Sequence, residues 1–255
     1  MRIELFSVSS SSHFPLISYH HINMDGISLQ VLLSDLQKAY SQQPFSGNMV
    51  QFPDFKARQT REIDEGKLDK ELEFWRKEYP DIPPALSFFP MSRVNNRLML
   101  KHYDLNKVVV RLPATLAAQI EKASREARAT SFHFYLAAMK SLLYSFLETD
   151  DVCIGIADAN KNDFDTMEAI GLYLNLLPLR FRSKEKETFK EAVIDTKAKV
   201  FAAISHSRLP FDVLLDKLGV PRSASHSPMF QAFIDYRRGS RNTTVWRLQI
   251  GWPEA

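Results

Sequence analysis

The sequence predicts a mixed fold, α/β or α+β. Three observations point there. Short β-favouring runs alternate with stretches of helical periodicity along the whole chain. No internal repeat or low-complexity segment interrupts them. Apolar residues at 45% and charged residues at 25% are ordinary for a globular protein, and 255 residues suffice for one large core or two modest lobes.

Residues 2–8 (RIELFSV) and 14–20 (FPLISYH) flank a serine-rich turn and read as two strands. Asp25-Gly26 then opens an amphipathic stretch in which Ile27, Val31, Leu32, Leu36 and Tyr40 recur at helical spacing, predicting a helix over 26–40. Residues 53–66 and 68–78 predict two charged helices. Pro80, Pro83, Pro84 and Pro90 punctuate a segment to about residue 98 without clear periodicity, a candidate crossing between lobes. Further on, 101–112 reads as a strand, and Pro113 opens a helix to about 127. Thr130 or Ser131 caps a strongly apolar helix to 147. Residues 151–158 and 171–181 are expected as buried strands, 186–206 and 211–218 as helices, and 229–236 as a last strand.

Composition excludes several classes of function. Thirty-three basic against 30 acidic residues leave a net charge of +3 with the signs interspersed, so nucleic-acid binding has no electrostatic support. The single Cys153 lies in the apolar run DVCIGIA and reads as a buried, inert thiol. A reducing, cytoplasmic setting and no membrane partner are expected, since neither a signal-peptide pattern nor a long apolar run occurs. Neither a P-loop, a Rossmann fingerprint nor a nucleophile elbow is present, which disfavours ATP chemistry and serine hydrolysis. His102, His133, His206 and His226 have no partner at a telling spacing, and Phe74 and Trp75 read as packing residues.

The chemically conspicuous stretch is His20-His21-Ile22-Asn23-Met24-Asp25-Gly26, where a predicted strand gives way to a helix. Adjacent residues after a strand point to opposite sides, so one histidine can serve the core while the other faces a cleft. Asp25 stands where it can cap the helix or pair with a cation. Gly26 can take a backbone conformation that a β-carbon resists. Three readings stay open on spacing alone: a hydrogen-bonded structural pair, a metal site, or a catalytic imidazole. The metal site has the least support, because adjacent histidines converge poorly on one ion and no further ligands stand at familiar spacing.

HHINMDG has the HHxxxDG form and resembles the signature of the condensation-domain superfamily. IGIADANKND (154–163), IGLYLNLLPLRF (170–181) and SRLPFDVLLDKL with SPMFQAFIDYR (207–237) are similar to further segments of that family, in its order. The wording looks most like the condensation domains of fungal hybrid polyketide synthase–nonribosomal peptide synthetases.

The resemblance implies a chloramphenicol acetyltransferase-like α+β two-layer sandwich, incomplete because only 19 residues precede the histidine pair. Residues 1–98 would be a remnant of the N-terminal lobe with the crossing segment, and 99–255 part of the C-terminal lobe. It implies an amide-forming acyltransferase joining a carrier-bound acyl thioester, polyketide in type, to a carrier-bound aminoacyl amine. The partners are then acyl and peptidyl carrier domains. The chain binds no cofactor directly, the substrates arriving on phosphopantetheine arms.

His21 is the implied catalytic residue. General base, proton acceptor after attack and electrostatic positioning all fit an imidazole, which ordinarily titrates near 6.5. His20 is carried over as packed and structural, Asp25 as a brace to a cation of the other lobe. That cation is commonly arginine in relatives and is Lys161 here; lysine keeps the charge but loses bidentate geometry, so a weaker brace or one through another residue is expected. Asn175 matches a position facing the substrate tunnel, although a turn amide explains it equally. The other expectation is a truncated, non-catalytic remnant that at most binds a carrier domain.

Overall fold

The computed structural model describes residues 1–45, 50–93, 97, 99, 106–147, 149–161 and 164–237. Strands β1 (Arg2–Ser9) and β2 (Ser12–Ser18) form an antiparallel hairpin with Phe6 opposite Phe14 and Ile3 opposite Ile17. Because side chains alternate along a strand, Ile3 and Leu5 lie on one face and Phe6 and Val8 on the other. All four are exposed. Sheets apolar on both faces are normally covered on both.

Helix α1 (Gly26–Tyr40) follows, then α2 (Phe52–Asp64) and α3 (Asp69–Glu78). Gly66 makes the turn between the latter two at φ +70°, a conformation that disfavours residues with a β-carbon. Helices α4 (Ala114–Glu126) and α5 (Ser131–Leu147) lead into β3 (Asp151–Asp158). Short α6 (Phe164–Met167), β4 (Asn175–Arg182), α7 (Phe189–Ser205), α8 (Phe211–Lys217) and β5 (Ala232–Ile234) complete the order. The second sheet runs β4-β3-β5, with β3 antiparallel to β4 and parallel to β5.

Strand β3 is buried on consecutive residues from Val152 to Ile156, so both its faces are covered. The main core joins Val152, Ile154, Ile156, Leu177 and Phe181 of the sheet to Leu136 and Leu143 of α5, Val200 of α7 and Leu214 of α8. Leu72, Trp75 and Tyr79 belong to the same cluster. The expected division near residue 98 therefore does not coincide with a break in packing, because α3 shares the core of the later elements.

Cys153 sits in this core, where burial pushes its thiol up to about 12 and leaves it unreactive at neutral pH. Trp75 is nearly inaccessible and donates its indole N–H to the His206 carbonyl, while His206 stacks on Phe74 at 4.0 Å.

Several boundaries differ from expectation for identifiable reasons. Residues 106–112 of the expected strand 101–112 are irregular and exposed, with no partner strand among the described residues; 101–105 lie outside them, as does His102. β4 begins at Asn175 rather than 171, since the backbone of Gly171 and Tyr173 is engaged by the N-terminal segment. α7 starts late because Thr188 and Glu191 form a reciprocal capping box. β5 is shortened by a tight turn in which Phe230 N–H donates to the Pro228 carbonyl, with Met229 at φ 62°.

Arg180 of β4 ties the segment after α3 to the sheet. Its guanidinium, almost fully buried, donates to Asp151 at 2.9 Å from Nε and to Asp81 at 2.9 Å from Nη2. Arg180→Ala leaves the half-buried Asp151 carboxylate without its cation. A loss of about 3 kcal/mol in unfolding free energy is expected, read as a lower urea midpoint.

His133 supplies a pH dependence. It is buried on α5, its Nδ1 accepts the Thr130 N–H, and burial with Lys197 nearby holds its pKa below the ordinary 6.5. The unfolded chain then binds more protons than the native one. This contribution to stability is present above pH 6.5 and is lost as pH falls through the lower native value. His133→Asn is expected to flatten the unfolding midpoint against pH below about 6.5.

Candidate active site

The strand β2 ends at Ser18, and the histidines fall in a single 3₁₀ turn, His21–Asn23. His20 caps that turn: its Nδ1 accepts the Ile22 N–H at 3.1 Å, which places a neutral ring's proton on Nε2. His20 is hydrogen-bonded as expected, but it is exposed rather than packed. The His21 side chain is also exposed, and its ring makes no hydrogen bond among the described residues. The turn closes with Asn23 N–H on the His20 carbonyl at 2.9 Å, and the next residue, Met24, is buried.

Asp25 anchors the loop. It is 4% exposed, and its two carboxylate oxygens serve different segments. Oδ1 accepts the Ser28 N–H at 2.8 Å, capping α1. Oδ2 accepts the Tyr173 N–H at 3.2 Å, and the Asp25 N–H donates to the Gly171 carbonyl at 3.2 Å. Two parts of the chain almost 150 residues apart are joined by one side chain and its backbone.

Lys161 reaches the same place but not as a direct ion pair. Its ammonium donates to Ser28 Oγ at 3.2 Å and to the Ala169 carbonyl at 2.7 Å, and lies 4.9 Å from the Tyr173 ring centroid. Among the described residues no salt bridge joins it to Asp25, and the link between the two runs through Ser28, which bonds to both. Burial lowers the Lys161 pKa from the ordinary lysine value, and the Asp25 carboxylate opposes that shift. The charge count explains why both are tolerated: each offsets part of the other's desolvation.

Gly26 is the first residue of α1, has no positive φ, and a β-carbon there would meet nothing within 4 Å. No backbone constraint demands glycine. Asn175 is buried, and its amide donates to the carbonyls of Ser207 and Leu209 at 2.7 and 2.9 Å. Its Oδ1 accepts from Leu176 and Phe211 N–H groups at 2.9 and 3.0 Å. Both donors and both lone pairs are occupied, so this side chain organises the loop into α8 although it borders a hollow of about 310 Å³.

Ser28, Gly171 and Tyr173 were not singled out from the sequence. Ser28 had a signal: a hydroxyl on the same stripe as Val31 and Leu32, where an apolar residue is expected. Gly171 is required by space, since a β-carbon there would lie 2.6 Å from the Phe52 ring. Phe52, Phe55 and Tyr173 form an aromatic cluster with centroids 4.9 to 6.3 Å apart. Gly171→Ala is expected to push the N-terminus of α2 away from Tyr173, lowering stability by about 2 kcal/mol, as a thermal or urea midpoint would read.

The arrangement presents one unencumbered imidazole on a short turn whose far end is fixed to the second segment by a buried carboxylate, hydroxyl and ammonium. A family model for the condensation domain matches residues 1–244. The chain is 48% identical over 94% of its length to the polyketide synthase–nonribosomal peptide synthetase phmA of Phaeosphaeria nodorum. It is 45% identical over 96% to the hybrid synthetase thnA of Trichoderma harzianum. The chain spans only 6% of each of these relatives. Among solved structures, it superimposes on the condensation domain of the monacolin K polyketide synthase MokA with a TM-score of 0.79 at 29% identity, covering 94% of this chain and 57% of that one. The X-domain from teicoplanin biosynthesis matches with the same TM-score at 26% identity, covering 91% of this chain and 53% of that chain.

Proposed function

The chain belongs to the condensation-domain family, and from that premise we propose that it carries the histidine motif of an amide-forming acyltransferase. The substrates in this reading are an acyl group, polyketide in type, and an aminoacyl group, each held as a thioester on the phosphopantetheine arm of a carrier domain. Acyl and peptidyl carrier domains are the partners. The observation that carries the reading is His21: exposed, free of internal hydrogen bonds, and held on a loop anchored at Asp25.

The amine nitrogen attacks the thioester carbonyl carbon, forming the C–N bond and a tetrahedral intermediate. The C–S bond then breaks, and the pantetheine sulfur leaves. One proton must pass from nitrogen to sulfur. An α-amine titrates near 7.7–8, so a useful fraction is neutral before attack. Proton removal is most needed once the nitrogen has become cationic. A free imidazole on the open side of the turn can take that proton and return it to the thiolate.

A second reading has its own observation. The hairpin is apolar on both faces and exposed among the described residues, a surface that suits binding of a carrier domain without catalysis. Mass spectrometry of acyl- and aminoacyl-loaded carriers separates the two. Amide product with a complete domain containing this segment supports the first. Carrier binding by this chain, without product from it or from that complete domain, supports the second.

A further inference from the structure

We propose that Ser28 is a positioning residue for the His21 loop, acting as one unit with Lys161; this rests on the reading of His21 above. Ser28 is fully buried, the only buried residue of α1. Its hydroxyl donates to the Gly171 carbonyl at 2.7 Å and accepts from Gly171 N–H at 3.1 Å and Lys161 Nζ at 3.2 Å. A serine hydroxyl has one proton and two lone pairs, and all are used, so its orientation is fixed.

The backbone N–H of the same residue is held by Asp25 Oδ1. Ser28 therefore stands between the buried carboxylate and the buried ammonium and bonds to both. The Lys161 charge, which does not pair with Asp25 directly, is coupled to the cap of α1 through this hydroxyl. Removing it leaves the Gly171 N–H and one direction of the ammonium unmatched in a dry site, with the Gly171 carbonyl held by the Asp25 N–H alone.

His21 lies four residues before Asp25, and among the described residues its side chain makes no hydrogen bond that could hold it independently. Its position is thus inherited from the backbone between the His20 turn and the Asp25 anchor. Displacing reacting groups by about 1 Å can cost roughly 10²-fold in rate. The clamp is expected to act on the chemical step, leaving carrier docking alone.

The test uses a full synthetase whose condensation domain contains this segment. Ser28→Ala and Lys161→Met are each expected to lower kcat for amide formation by roughly 10–100-fold, with KM for the aminoacyl carrier within about twofold. The Gly171 amide is expected to exchange hydrogen faster in both. In a His21→Ala background, Ser28→Ala is expected to add little. An equal loss in both backgrounds, or unchanged exchange at Gly171, overturns the proposal. Equal activity of wild type and His21→Ala would overturn the reading of His21 instead, while exchange at Gly171 would still decide the clamp.

Discussion

Asp25→Ala is expected to lower the unfolding free energy by about 3 kcal/mol, combining a lost helix cap with an unpaired buried Tyr173 N–H. Cap loss alone contributes roughly 1 kcal/mol. The larger part arises because the carboxylate also joins the motif loop to the segment before β4. Asp25→Asn separates the two contributions of this side chain. It retains an oxygen for the cap of α1 and removes the charge that supports the Lys161 ammonium, so the Lys161 pKa falls further. Asn is expected to recover the cap but not the full stability. A urea titration of the two variants measures this order; equal midpoints for wild type and Asp25→Ala would exclude the anchor.

His21→Ala is expected to have the larger functional effect and the smaller structural one. The ring is exposed and makes no hydrogen bond among the described residues, so its removal should leave the unfolding free energy within about 0.5 kcal/mol of wild type. Proton transfer by a positioned side chain contributes about 10²–10⁴-fold, and the rate of amide formation in a complete domain is expected to fall by that range. His20→Ala should behave in the opposite sense. It removes the acceptor for Ile22 N–H and loosens the turn, with a smaller loss of rate. A comparison of the two alanine variants thus distinguishes chemistry from local support.

Much of the fold was legible because its signals are local. The helix over 26–40 followed from apolar spacing and an aspartate cap, and both are observed. Strand 151–158 was likewise visible as a short apolar run. The boundaries of α7 and β5 have local causes, a capping box and a tight turn, whereas that of β4 has a distant one: backbone that looks strand-like from its residues is claimed by a far partner. Gly171 and Tyr173 bond to Asp25 instead of extending β4, a pairing across the chain that no window of sequence contains.

The site was legible to a similar depth. The HHxxxDG spacing pointed to His21 and Asp25, and the second segment pointed to Lys161. What the spacing could not show was that Lys161 reaches Ser28 rather than Asp25, because that depends on the length of a lysine side chain in a folded site. Asn175 was left open between a tunnel-facing residue and a turn amide for a related reason. An amide's role depends on which four groups surround it, and here they are all backbone groups, from Leu176 of β4, the stretch before α8 and its first residue.

The most direct measurement of the central claim is a single-turnover assay of amide formation. A complete domain containing this segment is mixed with one acyl-loaded and one aminoacyl-loaded carrier, and product is followed by mass spectrometry for wild type and His21→Ala. The predicted result is amide product from wild type and a rate roughly 10²-fold or more lower for His21→Ala. Equal rates from the two proteins would contradict it.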